Sequence, residues 1–314
     1  MRNRRSHGIA IAVLMCLPVL VSASARRQSA AQGAPRKVFS STSEVVMVHV
    51  SVRDRKSRLV PGLPREAFSV FENGQPQAIT YFENEDRPVT VGLVVDSSGS
   101  MQRKRDDVIA AGLAFAKSSH AQDEMFTVNF NEEVWKGLPP AIAFTTDFEE
   151  LRRALLRSGA RGQTALFDAI KTALNHLEQG HEEKKVLVVV SDGGDNASKT
   201  TYDQVLDTAL RMDAIIYTIG VYDEYATEAK PDLLKKLAES TGGASFFPQD
   251  PSAATQILQR VAAEIRSGYT LGYSPAAAAG GFRTIRVGVH APDGRKLNVR
   301  ARSGYVAGTA SASR

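Results

Sequence analysis

The chain has 314 residues, 43% apolar and 23% charged, a balance that excludes a disordered or fibrous protein and allows a sizeable core. The formal charge is +5, and three of the positive groups (Arg2, Arg4 and Arg5) sit in a segment expected to be removed, so neither nucleic acid nor an anionic membrane is implied as partner. Cys16 is the only cysteine and lies in that same segment, which excludes disulfides, thiolate catalysis and Cys-ligated zinc from the remainder.

Residues 1–25 read as an export signal, with a basic start, an apolar run from Ile9 to Val21 and small residues at Ala23-Ser24-Ala25. The run is shorter than the roughly 20 residues of a spanning helix and contains Pro18, so no membrane span is expected after cleavage. Met15 before Cys16 argues against a lipoprotein signal. The expected location is therefore periplasmic or extracellular. Residues 26–37 are small, polar and basic and read as a linker.

Residues 38–86 read as a β segment. Val46, Val48, Val50 and Val52 recur with a period of two; Phe68, Val70 and Phe71 mark a second strand, and Ile79 to Phe82 a third. Turns are expected at Pro61-Gly62 and Glu72-Asn73-Gly74. From 87 to 267 the character changes. Val89 to Val95 is a nearly continuous apolar run, as for a parallel strand buried on both faces. Strands at Met125–Phe130, Lys185–Val190, Ala214–Val221 and Ala244–Phe247 then alternate with helices at Arg103–Ser119, Phe148–Leu156, Ala165–Leu177, Tyr202–Met212, Pro231–Ser240 and Ala253–Arg266. In the last helix Ile257, Val261 and Ile265 share one face. Residues 268–304 return to β character: a strand at Tyr269–Tyr273, then Phe282–Val289 and Lys296–Ala301 as a hairpin about Pro292-Asp293-Gly294. Residues 305–314 read as a frayed tail. The expected fold is α/β, a doubly wound, mostly parallel sheet with helices on both faces. Each β flank is too small to stand alone, so the two are expected to pair into one small all-β sandwich.

The chemistry concentrates in three loops that follow strands, the end at which α/β sheets bind ligands. Asp96-Ser97-Ser98-Gly99-Ser100 follows the first parallel strand and offers oxygens from Asp96, Ser98 and Ser100 in one turn. Thr164 opens a helix within Gly162-Gln163-Thr164-Ala165, and Asp192 follows the strand Val186–Val190. Two carboxylates and three hydroxyls, with no nitrogen or sulfur, suit a hard divalent cation: Mg²⁺ first, with Mn²⁺ and Ca²⁺ as alternatives. Taken singly, each hydroxyl has a plainer reading as a helix cap; the conjunction of five in three loops favours a metal site.

This pattern resembles the von Willebrand factor type A family, whose metal-ion-dependent adhesion site is a D-x-S-x-S turn with a distant Thr and a distant Asp. The resemblance covers residues 87–267 and places those roles on Asp96, Ser98, Ser100, Thr164 and Asp192. The flanks, with FSVFENGQPQAITYF before and YTLGYSP after, resemble exported bacterial VWFA-related proteins known mainly from acidobacteria. The family implies a Rossmann-like fold, direct metal contacts from the hydroxyls, aspartates acting through water, and an open position for a partner's Asp or Glu. That makes the expected function protein binding in adhesion or scaffolding, not catalysis. Asp195 is a further candidate for partner contact, and Asp168 reads as a structural helix residue. The alternatives are a hydrolase using the same cation, for which Asp192 would have to serve as base, and a domain that the metal only stabilises.

Other motifs carry less. Gly193 to Thr200 (GGDNASKT) lacks the glycine a phosphate-binding loop needs before Lys-Ser/Thr. No G-x-G-x-x-G follows the first strand, no G-x-S-x-G appears, and histidines 49, 120, 176, 181 and 290 are scattered. Trp135 and the phenylalanines fit core packing. Partner identity and oligomeric state are not legible.

Overall fold

Alternating valines set the first strand, β1 (Val46–Arg53), with Val46, Val48, Val50 and Val52 inward. Its other face is covered too: His49 and Ser51 are buried, because β1 also meets the α/β part of the chain. The structure is a computed structural model describing residues 45–84, 86–157, 159–222, 230–275 and 280–307. Contacts divide the chain into Met1–Thr42 and Ser43–Arg314. The expected signal and linker fall in the first unit, outside the described residues, and every described element belongs to the second.

After β1 come β2 (Phe68–Glu72), β3 (Gln75–Gln77) and β4 (Ile79–Glu83), with Asn73-Gly74 turning β2 into β3 as expected. The α/β part begins with β5 (Thr90–Asp96), α1 (Arg105–Ser118), β6 (Glu124–Phe130), β7 (Val134–Lys136), α2 (Phe148–Leu156) and α3 (Leu166–Leu177). It continues with β8 (Lys185–Ser191), α4 (Tyr202–Arg211), β9 (Ile215–Gly220), α5 (Pro231–Thr241), β10 (Ser245–Phe246) and α6 (Ala254–Arg266). The chain closes with β11 (Tyr269–Tyr273), β12 (Gly281–Val289), β13 (Asn298–Arg300) and β14 (Gly304–Ala307).

Among the described residues the central sheet runs β10-β9-β8-β5-β6-β7, all parallel except the edge pair β6–β7. β5 and β8 sit in the middle, paired on both sides and covered on both faces, which is why their sequences are apolar nearly throughout. Val91, Leu93 and Val95 pack with α1 and α6 on one face; Val94, Leu187 and Val189 pack with α3 and α4 on the other. The helices start where local chemistry allows. Asp147 accepts hydrogen bonds from Glu149 and Glu150 N–H at the head of α2, and Thr201 and Gln204 form a capping box on α4, each device contributing about 1 kcal/mol. Pro231 begins α5, and Gly242, at φ 83°, ends it.

The flanks form two four-stranded antiparallel sheets, β13-β1-β11-β4 and β14-β12-β2-β3, around a core of their own. The sandwich expected from the two ends is therefore present. The hairpin expected about Pro292-Asp293-Gly294 is not: β12 pairs with β2 and β14, whereas β13 pairs with β1 in the opposite sheet. A hairpin would place both apolar sets in one sheet. Splitting the strands lets Ile285 and Val287 face Val299 across the core. The tail reading also fails for 305–307, which belong to β14; Tyr305 is buried and its hydroxyl donates to Glu72 at 3.0 Å. Tyr273 and Arg283 reach the same carboxylate at 2.6 and 2.8 Å, so this buried charge is fully engaged. Residues 308–314 lie outside the described residues. Trp135, expected in the core, is half-buried on the edge strand β7.

The sandwich meets the α/β part at the starting ends of its parallel strands. Asp213, just before β9, pairs with Arg302 at 3.0 Å, and Ser303 N–H donates to Ser240 O of α5 at 3.1 Å. Glu264 of α6 is buried between Arg53 of β1 and Arg300 of β13 and pairs with both. The loops at the finishing ends of the strands are thus left to the site.

Candidate metal centre

Asp96 is the last residue of β5 and is 2% exposed. The strand's alternation puts it on the α3 side together with Val94, and the β5–β8 register brings Ser191 beside it on the same face. Ser191 Oγ donates to Asp96 Oδ2 at 2.6 Å, and Ser98 N–H donates to Oδ1 at 2.8 Å, so both carboxylate oxygens are oriented. Ser98 is buried, Ser100 is exposed, and their hydroxyls stand 3.1 Å apart.

Backbone hydrogen bonds stitch the second and third loops to this turn. Arg161 N–H donates to Ser97 O at 2.9 Å, and Gly99 N–H to Gly162 O at 3.1 Å. Gly162 has φ 77°, and a Cβ there would collide with the Glu132 carboxylate, which accepts from Gln163 N–H at 2.9 Å. Thr164 is next along this loop and buried; its carbonyl accepts from Asn196 and Ala197 N–H at 3.0 and 3.1 Å, and its own N–H donates to Asn196 Oδ1 at 2.9 Å. Those residues belong to the loop that begins with Asp192, itself 5% exposed, whose Oδ1 accepts from Gly194 N–H at 3.2 Å. The three loops carrying Asp96, Ser98, Ser100, Thr164 and Asp192 are therefore joined pairwise at one end of the sheet. Behind them, buried Lys104 donates to Val221 O at 3.0 Å and ties the start of α1 to the end of β9.

The capping alternative fails on geometry. The turn at Gly99–Met101 and the helices α1 and α3 have no side-chain cap hydrogen bond, and their N-cap residues are Ser98, Lys104 and Ala165. The hydroxyls of Ser98, Ser100 and Thr164 are thus not holding helix ends. Burial pushes the Asp96 carboxyl up to about 6, the bonds from Ser191 and Ser98 hold it down, and the charge of Asp192 pushes it up again. Two buried carboxylates that repel each other, in joined loops that also carry three hydroxyls, fit a hard cation, which would neutralise that repulsion. Among the described residues no three His, Cys, Asp or Glu side chains gather as a metal-binding group, so a site here is built from hydroxyls as much as from carboxylates.

Asp195 and Asp168 take other work. Asp195 is half-buried, and its Oδ1 accepts from Ser198 Oγ at 2.6 Å and Phe167 N–H at 3.3 Å. Asp168 accepts from Lys199 and Thr200 N–H at 3.0 and 2.8 Å, and these bonds hold its carboxyl below the usual range against the opposing effect of burial. Together they staple the start of α3 to the loop after β8. Ser191 stands in the loop that the sequence singled out, but its hydrogen bond to Asp96 was missed, because it depends on β5–β8 register.

The profile of the von Willebrand factor type A domain matches residues 91–260, more than half of the chain. The chain belongs to the von Willebrand factor type A family. Among solved structures, a von Willebrand factor type A protein from Catenulispora acidiphila is 12% identical with a TM-score of 0.52, over 86% of this chain and 75% of that one. Proximal thread matrix protein 1 from the mussel byssus is 16% identical with a TM-score of 0.51, over 62% of this chain and 51% of that one. At such identities the likeness shows the fold alone, which agrees with the parallel central sheet. An uncharacterized protein of Borreliella burgdorferi is 29% identical over 105 residues, 28% of this chain. The match covers 31% of that relative's length, so this chain spans under a third of it.

Proposed function

We propose that this protein is a cation-dependent protein-binding module. Ser98, Ser100 and Thr164 would hold a divalent ion directly, with Asp96 and Asp192 behind them, and Mg²⁺ is the first choice over Mn²⁺ or Ca²⁺. The bound ion would supply positive charge that hydroxyls and water only partly offset, and so attract an Asp or Glu side chain of a protein partner. The observation that carries this reading is that hydrogen bonds tie the three loops together at one end of the sheet, with Ser98, Ser100 and Thr164 free of helix capping and Asp96 and Asp192 buried.

Binding is favoured over turnover because the described histidines lie away from the site. His181 sits at the base of the sheet with Glu124, at 2.6 Å; His176 bonds Ala143 O at 2.7 Å; and His49 lies in the seam with the sandwich. Among the described residues no helix is long and apolar enough to cross a membrane. Export, expected from residues 1–25, belongs to the same proposal.

Calorimetric titration of Mg²⁺ tests it. The wild-type protein should bind one ion; Asp96→Ala and Thr164→Ala should each lose at least ten-fold in affinity while circular dichroism stays unchanged. Thr164→Ala guards against misfolding, since its side chain caps no helix. Unchanged affinity in both variants rejects the site. Capture from secreted and envelope fractions with and without chelator then identifies the partner, and the mass of the mature chain reads whether it begins after Ala25.

A further inference from the structure

Arg153, Arg157 and Arg161 recur every four residues along the end of α2 and the loop beyond it. All three are exposed, and none has an acidic partner among the described residues, whereas their neighbour Arg152 is taken by Glu149 at 2.8 Å. Favourable interaction with the carboxyl end of a helix accounts for Arg153 and Arg157 in part. It does not account for Arg161, whose backbone N–H is bonded inside the Asp96 turn itself.

Arg153 and Arg157 flank a groove of about 410 Å³ whose apolar lining comes from Pro139, Ala154 and Leu156. Leu156 is 47% exposed, and Arg157 Nη1 donates to Gly137 O at 3.2 Å, which fixes one wall. Glu150 also lines the groove, but its carboxylate is turned to Thr145 Oγ1 at 2.6 Å, and the Glu132 carboxylate is turned to Gln163 N–H. The groove lies beside the end of β7, two strands from β5 in the sheet, and an extended segment crosses the roughly 10 Å between those strands in about three residues. Three arginines without an acidic partner thus run along the chain from the loop bonded to the Asp96 turn to an apolar floor.

We propose that the partner is recognised through an extended acidic segment. One carboxylate sits on the cation, further carboxylates on Arg161, Arg157 and Arg153, and an apolar side chain on the floor formed by Pro139, Ala154 and Leu156. The proposal rests on the cation-dependent binding site and adds the chemistry of the ligand to it. A lone Asp or Glu would engage the ion and leave the arginines unanswered, so sequence around that residue governs affinity.

The test uses the purified full chain, saturating Mg²⁺ and three fluorescein-labelled synthetic peptides. The first is Asp-Glu-Glu-Leu-Glu, the second the same with Ser for Leu, and the third a neutral peptide with a single Asp. The first peptide should bind at least ten-fold more tightly than the other two. Arg153→Glu combined with Arg157→Glu should erase that preference and leave Mg²⁺ binding intact, while Arg260→Glu on the exposed side of α6 changes neither. Equal binding of the three peptides overturns the proposal, and so does a preference that survives the double charge reversal. Discrimination that persists after chelation overturns the shared segment without touching the cation site. Absence of Mg²⁺ binding in the wild-type protein overturns the proposed function itself.

Discussion

Ser191 is fully buried at the end of β8, and its hydroxyl has two jobs: it donates to Asp96 Oδ2 at 2.6 Å and accepts from Gly193 N–H at 3.0 Å. Gly193 stands at φ 79° and packs against Leu234, so the turn it makes has little slack. Ser191→Ala leaves a buried carboxylate oxygen and a buried N–H without partners, which costs about 1–3 kcal/mol of stability. It also lets the Asp96 carboxyl swing, and loss of such an orienting partner typically weakens metal binding about ten-fold or more. Ser191→Thr keeps the hydroxyl and should stay near wild type in both respects. Thermal melts and Mg²⁺ calorimetry on the two variants check this, and equal behaviour of Ala and Thr would remove the orienting role. At this scale the candidate site was readable, because Asp96, Ser98 and Ser100 are close in sequence and Thr164 and Asp192 each sit at a strand–loop junction. Ser191, Arg161 and Gly162 were not, because their contacts run through sheet register and backbone bonds between residues far apart in the chain.

Helix α6 shows the same limit one level up. Its amphipathic pattern correctly put Val261 and Ile265 inside, with Ile257 half-buried. Glu264 stands on the same side of the helix, seven residues after Ile257, and it is 1% exposed because arginines from β1 and β13 meet its charge there. Neither arginine is near α6 in sequence, so no local signal marks the pairing. The hairpin misread at β12–β13 has the same origin: turn chemistry fixes where the chain bends but not which sheet the next strand joins. Removing one side of a buried ion group leaves uncompensated charge, so Glu264→Ala should cost about 3 kcal/mol, near the low end of the usual range because Arg53 and Arg300 keep some solvent access. Arg53→Ala should cost less, since Arg300 still answers the carboxylate. Urea denaturation gives both values. A Glu264→Ala loss within about 0.5 kcal/mol would mean the three charges do not fasten α6 to the sandwich.

Across the whole molecule, charge is sorted between two ends of one sheet. The finishing ends of the strands hold the oxygen-rich loops, and the starting ends hold the seam with the sandwich. That sandwich was foreseeable in outline, since two β segments each too small to bury a face had to find cover. Its docking surface was not foreseeable. His49 lies in that seam, buried, with Nδ1 3.1 Å from Thr270 Oγ1 and Nε2 3.9 Å from Asp213. The Asp213 carboxylate is turned to Arg302 at 3.0 Å and offers the imidazole little. Burial therefore dominates, and with Lys184 and Arg302 close by it lowers the His49 pKa well below 6.5. In the unfolded chain the same imidazole takes up a proton as pH falls through about 6.5. The folded state takes it up only at lower pH, so the contribution of neutral His49 is intact above about 6.5 and is lost as the solution is acidified. The slope reaches at most about 1.4 kcal/mol per pH unit for one group. His49→Gln keeps a polar partner for Thr270 and has no proton to gain. Urea midpoints at pH 7.5, 6.5 and 5.5 should fall more steeply in the wild type than in His49→Gln, by up to about 1 kcal/mol at the lowest pH. Parallel pH profiles would show that the seam relaxes to solvate the imidazolium, and that the sandwich is held against the α/β part more loosely than its buried ion pairs imply.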